Sequence, residues 1–312
     1  MLQTKLNNKV ISLMGPTASG KTDLALNLLK NNNLEIISVD SVMFYREFNI
    51  GSAKPEKNIL QKYPHRLVNI LDPFERYSVA MFYKDLLVQI KEVHLNRKTP
   101  LLVGGSMMYF KTFFSGGLSN LSIVSEEIKN KINDMLREND LNYLYNFLMN
   151  VDKNAAKKIH YNDKYRIIRM LEIYFSNKEK PSNLLKRCSK NVQYFNNLNI
   201  SIMPRDRTLI HNNIENRFDN MIKKGFLEEV LQIRKKYKNL KLPAMSTIGY
   251  KQASEYLNGN IDKETMRDST LAATRQLAKR QITWLRHLDA TTVYTCTDYD
   301  NIEKTVKNFL AN

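Results

Sequence analysis

The stretch Gly15-Pro16-Thr17-Ala18-Ser19-Gly20-Lys21-Thr22 holds the residue types and spacing that point most directly to chemistry. A glycine turn leading into a helix aims backbone N–H groups, and the positive end of the helix dipole, at one point where an anion can be held. Lys21 adds a full charge and Thr22 a hydroxyl able to ligate Mg²⁺, so the expected ligand is a polyphosphate or diphosphate. That names a ligand group and leaves the reaction open. Asp40 is a carboxylate at the end of an apolar run; facing such a loop, it could bind Mg²⁺ through water or take a proton from an attacking nucleophile. Ser106, closing Gly104-Gly105-Ser106, could serve the same point or merely cap the helix that starts at Met107. Arg217 lies on the helical stretch Asn212 to Lys223, where it is either a solvated side chain or a bidentate donor to a leaving group.

For these groups to meet, the chain needs an open parallel sheet. Val10-Ile11-Ser12-Leu13-Met14 reads as a buried strand entering the loop, and Asp23 to Lys30, with leucines at 24, 28 and 29, as the helix leaving it. Glu35-Ile36-Ile37-Ser38-Val39 is a second strand ending at Asp40, and Leu101-Leu102-Val103 a third ending at Gly104. Ligands of such sheets sit outside the carboxyl ends of the strands, which puts Asp40 and Ser106 on the edge of the loop. Val79 to Val93 has the spacing of a crossover helix. From 119 to 191 the pattern is helical, with helices at 126–137, 140–149 and 163–176. A strand at Asn199 to Met203, long helices over 207–237 and 262–288, and a short strand at Thr292 to Tyr294 follow. The expected fold class is α/β: a P-loop-type parallel sheet flanked by helices, built from 1–118 and 192–312, with a helical insertion domain at 119–191.

The net charge of +17 is held in three windows, 157–190, 221–251 and 266–287, while the rest of the chain balances. Basic excess confined to the second half suits a polyanion larger than one diphosphate, nucleic acid first; the alternative is a set of solvated lysine-rich helix faces. On the helix over Ala273 to Arg286, Arg275, Lys279 and Arg286 fall on one stripe beside an apolar stripe of Leu271, Thr274, Ala278, Ile282 and Leu285. Two cysteines, Cys188 and Cys296, have no neighbours at metal-ligand spacing and cannot build a disulfide framework for 312 residues. With no secretory signal and no apolar run of membrane-spanning length, a soluble cytoplasmic protein without a membrane partner is expected.

These residues together resemble the bacterial tRNA dimethylallyltransferases, the family that isopentenylates adenosine beside the anticodon. The likeness covers nearly the whole chain. It rests on the loop at 15–22, Asp40-Ser41 followed by Tyr45-Arg46, and Ile50-Gly51-Ser52-Ala53-Lys54-Pro55. Val103-Gly104-Gly105-Ser106, His160-Tyr161-Asn162-Asp163, Ile248-Gly249-Tyr250 and the Ala273 to Arg286 stretch continue it in order. The resemblance implies that Gly15, Pro16, Thr17, Ala18, Ser19, Gly20, Lys21 and Thr22 hold the diphosphate of dimethylallyl diphosphate with Mg²⁺, ligated by Thr22 and reached through water by Asp40. It also implies that Asp40 is general base and orienter of the adenine amine, and that Ser106 and Arg217 contact the diphosphate side. Contact with the tRNA anticodon arm is implied for Asp40, Ser41, Val42, Met43, Ser106, Lys164, Tyr165, Arg166, Ile167, Ile168, Thr247, Ile248, Gly249, Tyr250, Lys251, Gln252, Arg275 and Lys279. The insertion would clamp that arm, the target base would be extruded into a closed channel, and the enzyme would act as a monomer. The chain departs from the family at Ser106 and Ser52, where threonine is usual, at Asn49, often aspartate, and at Tyr161, usually proline; serine keeps the hydroxyl of threonine.

Three rivals share the loop. A small-molecule kinase would use ATP and has no use for the basic windows. An isopentenyltransferase acting on free adenine nucleotide would not need the basic insertion. A non-catalytic RNA-binding ATPase would leave Asp40 only a Mg²⁺ role.

Overall fold

A computed structural model describes residues 8–117, 124–187, 195–238, 240–288 and 291–312. The chain divides into two units, Met1–Lys111 with Tyr194–Asn312, and Thr112–Gln193. Cys188 lies outside the described residues.

The first unit opens with β1 (Lys9–Met14), α1 (Lys21–Asn31), β2 (Leu34–Val39), α2 (Lys57–Lys62), β3 (His65–Arg66), α3 (Val79–Leu95), β4 (Thr99–Gly104) and α4 (Met107–Phe114), whose last residues count with the second unit. It resumes with β5 (Asn196–Ile202), α10 (Arg207–Lys223), α11 (Phe226–Lys236), a short 3₁₀ turn at Pro243–Ser246, α12 (Tyr250–Leu257), α13 (Lys263–Leu285), β6 (Thr292–Tyr294) and α14 (Tyr299–Ala311). The six strands form one sheet in the order β3-β2-β4-β1-β5-β6, and every pairing is parallel. Residues 10–14 and 34–39 are buried throughout, as strands covered on both faces must be. On one face Leu24 and Leu28 of α1 and Ile302 and Val306 of α14 pack on Ile11, Leu13, Ile200 and Ile202. Each such fully buried aliphatic side chain contributes roughly 1.5–3 kcal/mol.

The second unit holds α5 (Glu126–Glu138), α6 (Leu141–Val151), α7 (Lys153–Ala156), α8 (Lys164–Asn177) and α9 (Pro181–Arg187). Its own core is Ile132, Leu144, Leu148, Ala156, Ile159, Ile167 and Leu171. Buried Asp152 caps α7 through the Ala155 N–H and takes the Ser182 N–H and hydroxyl at 2.7 and 2.9 Å, pinning the start of α9.

The structure corrects one expected element. The helix over 207–237 is two helices, because Gly225 takes a left-handed conformation (φ 90°) between them. Sequence pattern also passed over α2, α7, α9, α12 and α14, and β3, a two-residue strand held by Arg66 against Glu35.

The sheet brings its carboxyl ends together through one close approach. Val39 of β2 pairs with Gly104 of β4, and a Cβ on Gly104 would stand 2.0 Å from the Val39 carbonyl oxygen. Backbone meets backbone there, so no side chain can give way. Gly104→Ala should destabilise the first unit by about 3 kcal/mol, read as a lower urea midpoint in the fluorescence of Trp284, the only tryptophan in the chain.

Candidate active site

The phosphate loop connects β1 to α1 at the carboxyl edge of the sheet. Gly15 has no room for a side chain, since a Cβ would lie 2.8 Å from Ser19 Oγ and 2.9 Å from the Ile202 carbonyl oxygen. Ala18 (φ 61°) and Gly20 (φ 81°) are both left-handed, the alternation that turns successive N–H groups to one side. Among the described residues the N–H groups of Ala18, Ser19, Gly20 and Lys21 donate to no protein acceptor. Thr17 differs from expectation: its N–H donates to Gln281 Oε1 at 2.8 Å and is spent on holding the loop.

Two helices from the second half brace this loop. On α10, Asn213 donates to the Ala18 carbonyl at 3.1 Å and Arg217, one turn on, donates to Thr17 Oγ1 at 3.2 Å. On α13, buried Gln281 takes the Thr17 N–H and donates to the Gly105 carbonyl at 2.8 Å, tying the phosphate loop to the turn that carries Ser106. A Cβ on Gly105 would sit 2.5 Å from Gln281 Nε2, so that glycine is needed for the approach. Sequence reading missed Gln281 because glutamine on a basic helix looks solvated; its one signal was its helical phase, three residues after Ala278 and four before Leu285, at the edge of the apolar stripe.

Asp40 follows β2, and its Oδ1 accepts the Val42 and Met43 N–H groups at 2.7 and 3.1 Å. Among the described residues Oδ2 takes no hydrogen bond, so one oxygen is fixed and the other left for a ligand. Ser106 stands at the start of α4 with its N–H on the Val39 carbonyl at 3.3 Å, one residue before Asp40. Burial, with the positive charge of Arg217 beside it, pushes Lys21 down to about 7, and the charge of Asp40 partly opposes this. Burial likewise lowers Arg217, again with Asp40 opposing. The loop, Lys21, Arg217, Asp40 and the Ser106 turn thus form one site, able to neutralise a diphosphate and to hold a carboxylate at its rim. Thr22 is exposed on the first turn of α1. Its hydroxyl and Asp40 Oδ2 are hard oxygen donors, a set that fits a Mg²⁺ ion held mainly by phosphate and water.

The residues expected at RNA divide. Ser41 is exposed and Val42 and Met43 are half-buried in the turn that orients Asp40. In the second unit Lys164, Tyr165 and Arg166 are exposed at the start of α8, with Arg166 paired to Asp163 at 3.0 Å, and Ile168 is half-buried. Ile167 is fully buried in the helical core, which excludes it from direct contact. Of the stretch Thr247 to Gln252, Lys251 is exposed, Thr247, Ile248 and Gln252 are half-buried, and Gly249 and Tyr250 are buried. Tyr250 packs between Phe48 and Phe226 and donates to Glu229 at 2.7 Å, so its part is structural. Lys279 is exposed, whereas Arg275 turns toward Glu215 at 3.8 Å and leaves the basic stripe.

Glu229 was also missed. Half-hidden among the lysines of its window, it is buried, and its carboxylate accepts the N–H groups of Asn49, Ile50 and Gly51 at 3.0, 2.8 and 3.2 Å as well as the Tyr250 hydroxyl. Lys54 completes the clamp by donating to the Tyr45 carbonyl, Asn49 Oδ1 and Asn69 Oδ1; burial lowers it to about 8. Ser52 donates to the Phe48 carbonyl at 2.6 Å, a bond for which serine serves as well as threonine. The segment after Asp40 is therefore fixed by one carboxylate and one ammonium.

Because Lys21 titrates near 7 and a bound anion favours its ammonium, a diphosphate ester should bind with proton uptake above that pH, and affinity should fall as pH rises from there. Calorimetry at pH 8 in buffers of different ionisation heat should show the uptake, and Lys21→Met should abolish it. Glu229→Gln keeps the shape but offers one acceptor oxygen in place of two, and should cost about 2–4 kcal/mol by the same Trp284 unfolding measurement.

Residues 43–288 match the family model described as IPP transferase. The chain is 44% identical over 290 residues to a tRNA dimethylallyltransferase of Legionella pneumophila (strain Corby), covering 93% of this chain and 92% of that one. It is 43% identical over 303 residues to one of Coxiella burnetii (strain RSA 493 / Nine Mile phase I), covering 96% of each. Among solved structures, the full-length tRNA isopentenylpyrophosphate transferase of Bacillus halodurans has a TM-score of 0.70 at 30% identity, over 98% of this chain and 96% of that one. A eukaryotic dimethylallyltransferase caught acting on tRNA has a TM-score of 0.80 at 26% identity, over 98% of this chain and 80% of its own. A parallel sheet with a braced phosphate loop, a lone carboxylate at its rim and this likeness along its length have one reading: the chain belongs to the IPP transferase family.

Proposed function

We propose that the protein transfers the dimethylallyl group of dimethylallyl diphosphate to N6 of the adenosine beside the anticodon of tRNA and releases diphosphate. The observation that carries the reading is the pairing of four unshared loop N–H groups with a single rim carboxylate whose second oxygen is uncommitted. The cradle suits a leaving group and the carboxylate suits the amine that displaces it.

The adenine N6 attacks the allylic C1, the C1–O bond breaks, and its electron pair departs on diphosphate. Asp40 holds the amine through Oδ2 and accepts its proton, while Oδ1 is kept in place by the Val42 and Met43 amides. Lys21, Arg217 and the loop N–H groups stabilise the charge that grows on the leaving oxygens. Ser106 adds a hydroxyl donor at the start of α4. Thr22 would hold Mg²⁺, with Asp40 reaching it only through water, and the ion when bound would supply further neutralisation of the diphosphate. The exposed cations Lys164, Arg166, Lys251 and Lys279 are the side chains we assign to the tRNA backbone, with the helical unit as the clamp on the anticodon arm. Among the described residues no helix is long and apolar enough to cross a membrane. A cytoplasmic monomer completes this reading, with a tRNA substrate supporting the location.

The test is transfer of label from dimethylallyl diphosphate to unmodified tRNA, with ATP and AMP as alternative substrates. Label in tRNA alone is the expected result; transfer only to AMP, or hydrolysis of ATP alone, would replace this reading. Asp40→Ala should lower turnover by at least about 10²-fold while tRNA affinity holds, and a near-normal rate would remove Asp40 from the proton transfer.

A further inference from the structure

A row of aromatic rings runs in contact from the segment after Asp40 to the first turn of α4. Tyr45 and Tyr77 both meet Phe44, at 4.5 and 4.8 Å between ring centres, and Tyr77 meets Phe82 at 6.3 Å. Phe82 in turn lies flat on Tyr109, at 4.0 Å with 11° between the planes. Packing of this kind needs no hydroxyls, yet three of these rings carry one. Two are spent within the protein: Tyr45 donates to the Glu75 carbonyl at 3.2 Å and Tyr77 to the Asp85 carboxylate at 2.6 Å. The hydroxyl of Tyr109, a residue only 7% exposed, makes no hydrogen bond among the described residues. A buried hydroxyl left alone costs stability that phenylalanine would not, so its presence is accounted for by a partner that arrives with the substrate.

Its position points to one part of the substrate. The Ser106 N–H rests on the Val39 carbonyl, one residue before Asp40, and the Ser106 carbonyl takes the Tyr109 N–H at 2.9 Å, so the backbone carries Tyr109 on the turn that borders the rim carboxylate. Burial first, and then the charge of Asp40, hold the Tyr109 phenol above the ordinary tyrosine range, which keeps it a neutral donor. A carboxylate that accepts from an amine, with a hydroxyl that donates beside it, reads a pair of groups: an N–H and an acceptor next to it. Adenine presents that pair at N6, flanked by the acceptors N1 and N7, whereas guanine has an oxygen in place of the amine.

We propose that the Tyr109 hydroxyl donates to a ring nitrogen beside the amine of the target adenine, which makes Tyr109 a specificity-determining residue for the base. The inference rests on the transfer reading above and adds to it the group that recognises the base next to Asp40. The test uses the full chain and synthetic anticodon arms carrying adenosine, 1-deazaadenosine or 7-deazaadenosine at the target position. On the adenosine arm Tyr109→Phe, which keeps the ring and its stack on Phe82, should lower kcat/KM about tenfold with diphosphate affinity unchanged. On the arm that lacks the nitrogen read by Tyr109, wild type and variant should be equal, while on the other arm the difference of about tenfold should remain. Equality on the 1-deaza arm assigns N1 and equality on the 7-deaza arm assigns N7. A difference that persists on all three arms, or none on adenosine, would overturn the contact, as would a matching loss of diphosphate affinity, which would assign the hydroxyl to the prenyl donor. A wild-type protein that transferred nothing to the adenosine arm would overturn the function together with this inference.

Discussion

A loop can grip a diphosphate only if its own N–H groups are spared by the rest of the protein, yet a loop without internal hydrogen bonds has little of its own to hold its shape. Here the conflict is resolved from behind. Gln281, Asn213 and Arg217 take the Thr17 N–H, the Ala18 carbonyl and the Thr17 hydroxyl, the groups that do not face the anion. α10 and α13 supply the rigidity, and the N–H groups of Ala18 to Lys21 stay uncommitted. Gln281 also reaches the Gly105 carbonyl, so one side chain ties the phosphate loop to the Ser106 turn.

The electrostatics follow from that crowding. Packing Lys21 and Arg217 into one cradle lowers both: burial disfavours each charged form, the charge of Arg217 lowers Lys21 further, and Asp40 pulls the other way. A dianionic or trianionic ligand removes the conflict. The cradle is thus tuned to a multiply charged group, and Asp40 serves as partial counterion and, in the proposed reaction, as the acceptor at the reacting nitrogen.

Much of this was legible in the chain because strands and loops of this kind announce themselves locally. Apolar runs ending in Asp40 and in Gly104-Gly105-Ser106 are readable without contacts, and the spacing of glycines around Lys21 carries its own geometry. What stayed hidden depends on long-range partners. Gln281 and Glu229 are polar residues on helices, indistinguishable by pattern from solvated neighbours, and only the fold reveals that one meets Thr17 and the other three successive amides. Tyr250 and Ile167 erred in the opposite direction: both lie inside sequences that match RNA-contacting stretches, yet helical phase sends them into the core while Lys251 and Arg166 emerge. β3 was invisible because two residues cannot show a period, and the break at Gly225 because the flanking apolar spacing continues in phase across it.

The interrupted first unit has a consequence for how the molecule is made. β1 and the phosphate loop leave the ribosome well before their braces, since Asn213, Arg217 and Gln281 are synthesised some two hundred residues or more later, and α14, which seals one face of the sheet, follows them. The helical unit, continuous in sequence, has its core complete well before then. Vectorial synthesis therefore favours a nascent chain with a finished helical module and an anion-binding turn that is still slack. A chain truncated before α13 would keep every residue of the glycine-rich motif and lack the shape that gives the motif its use.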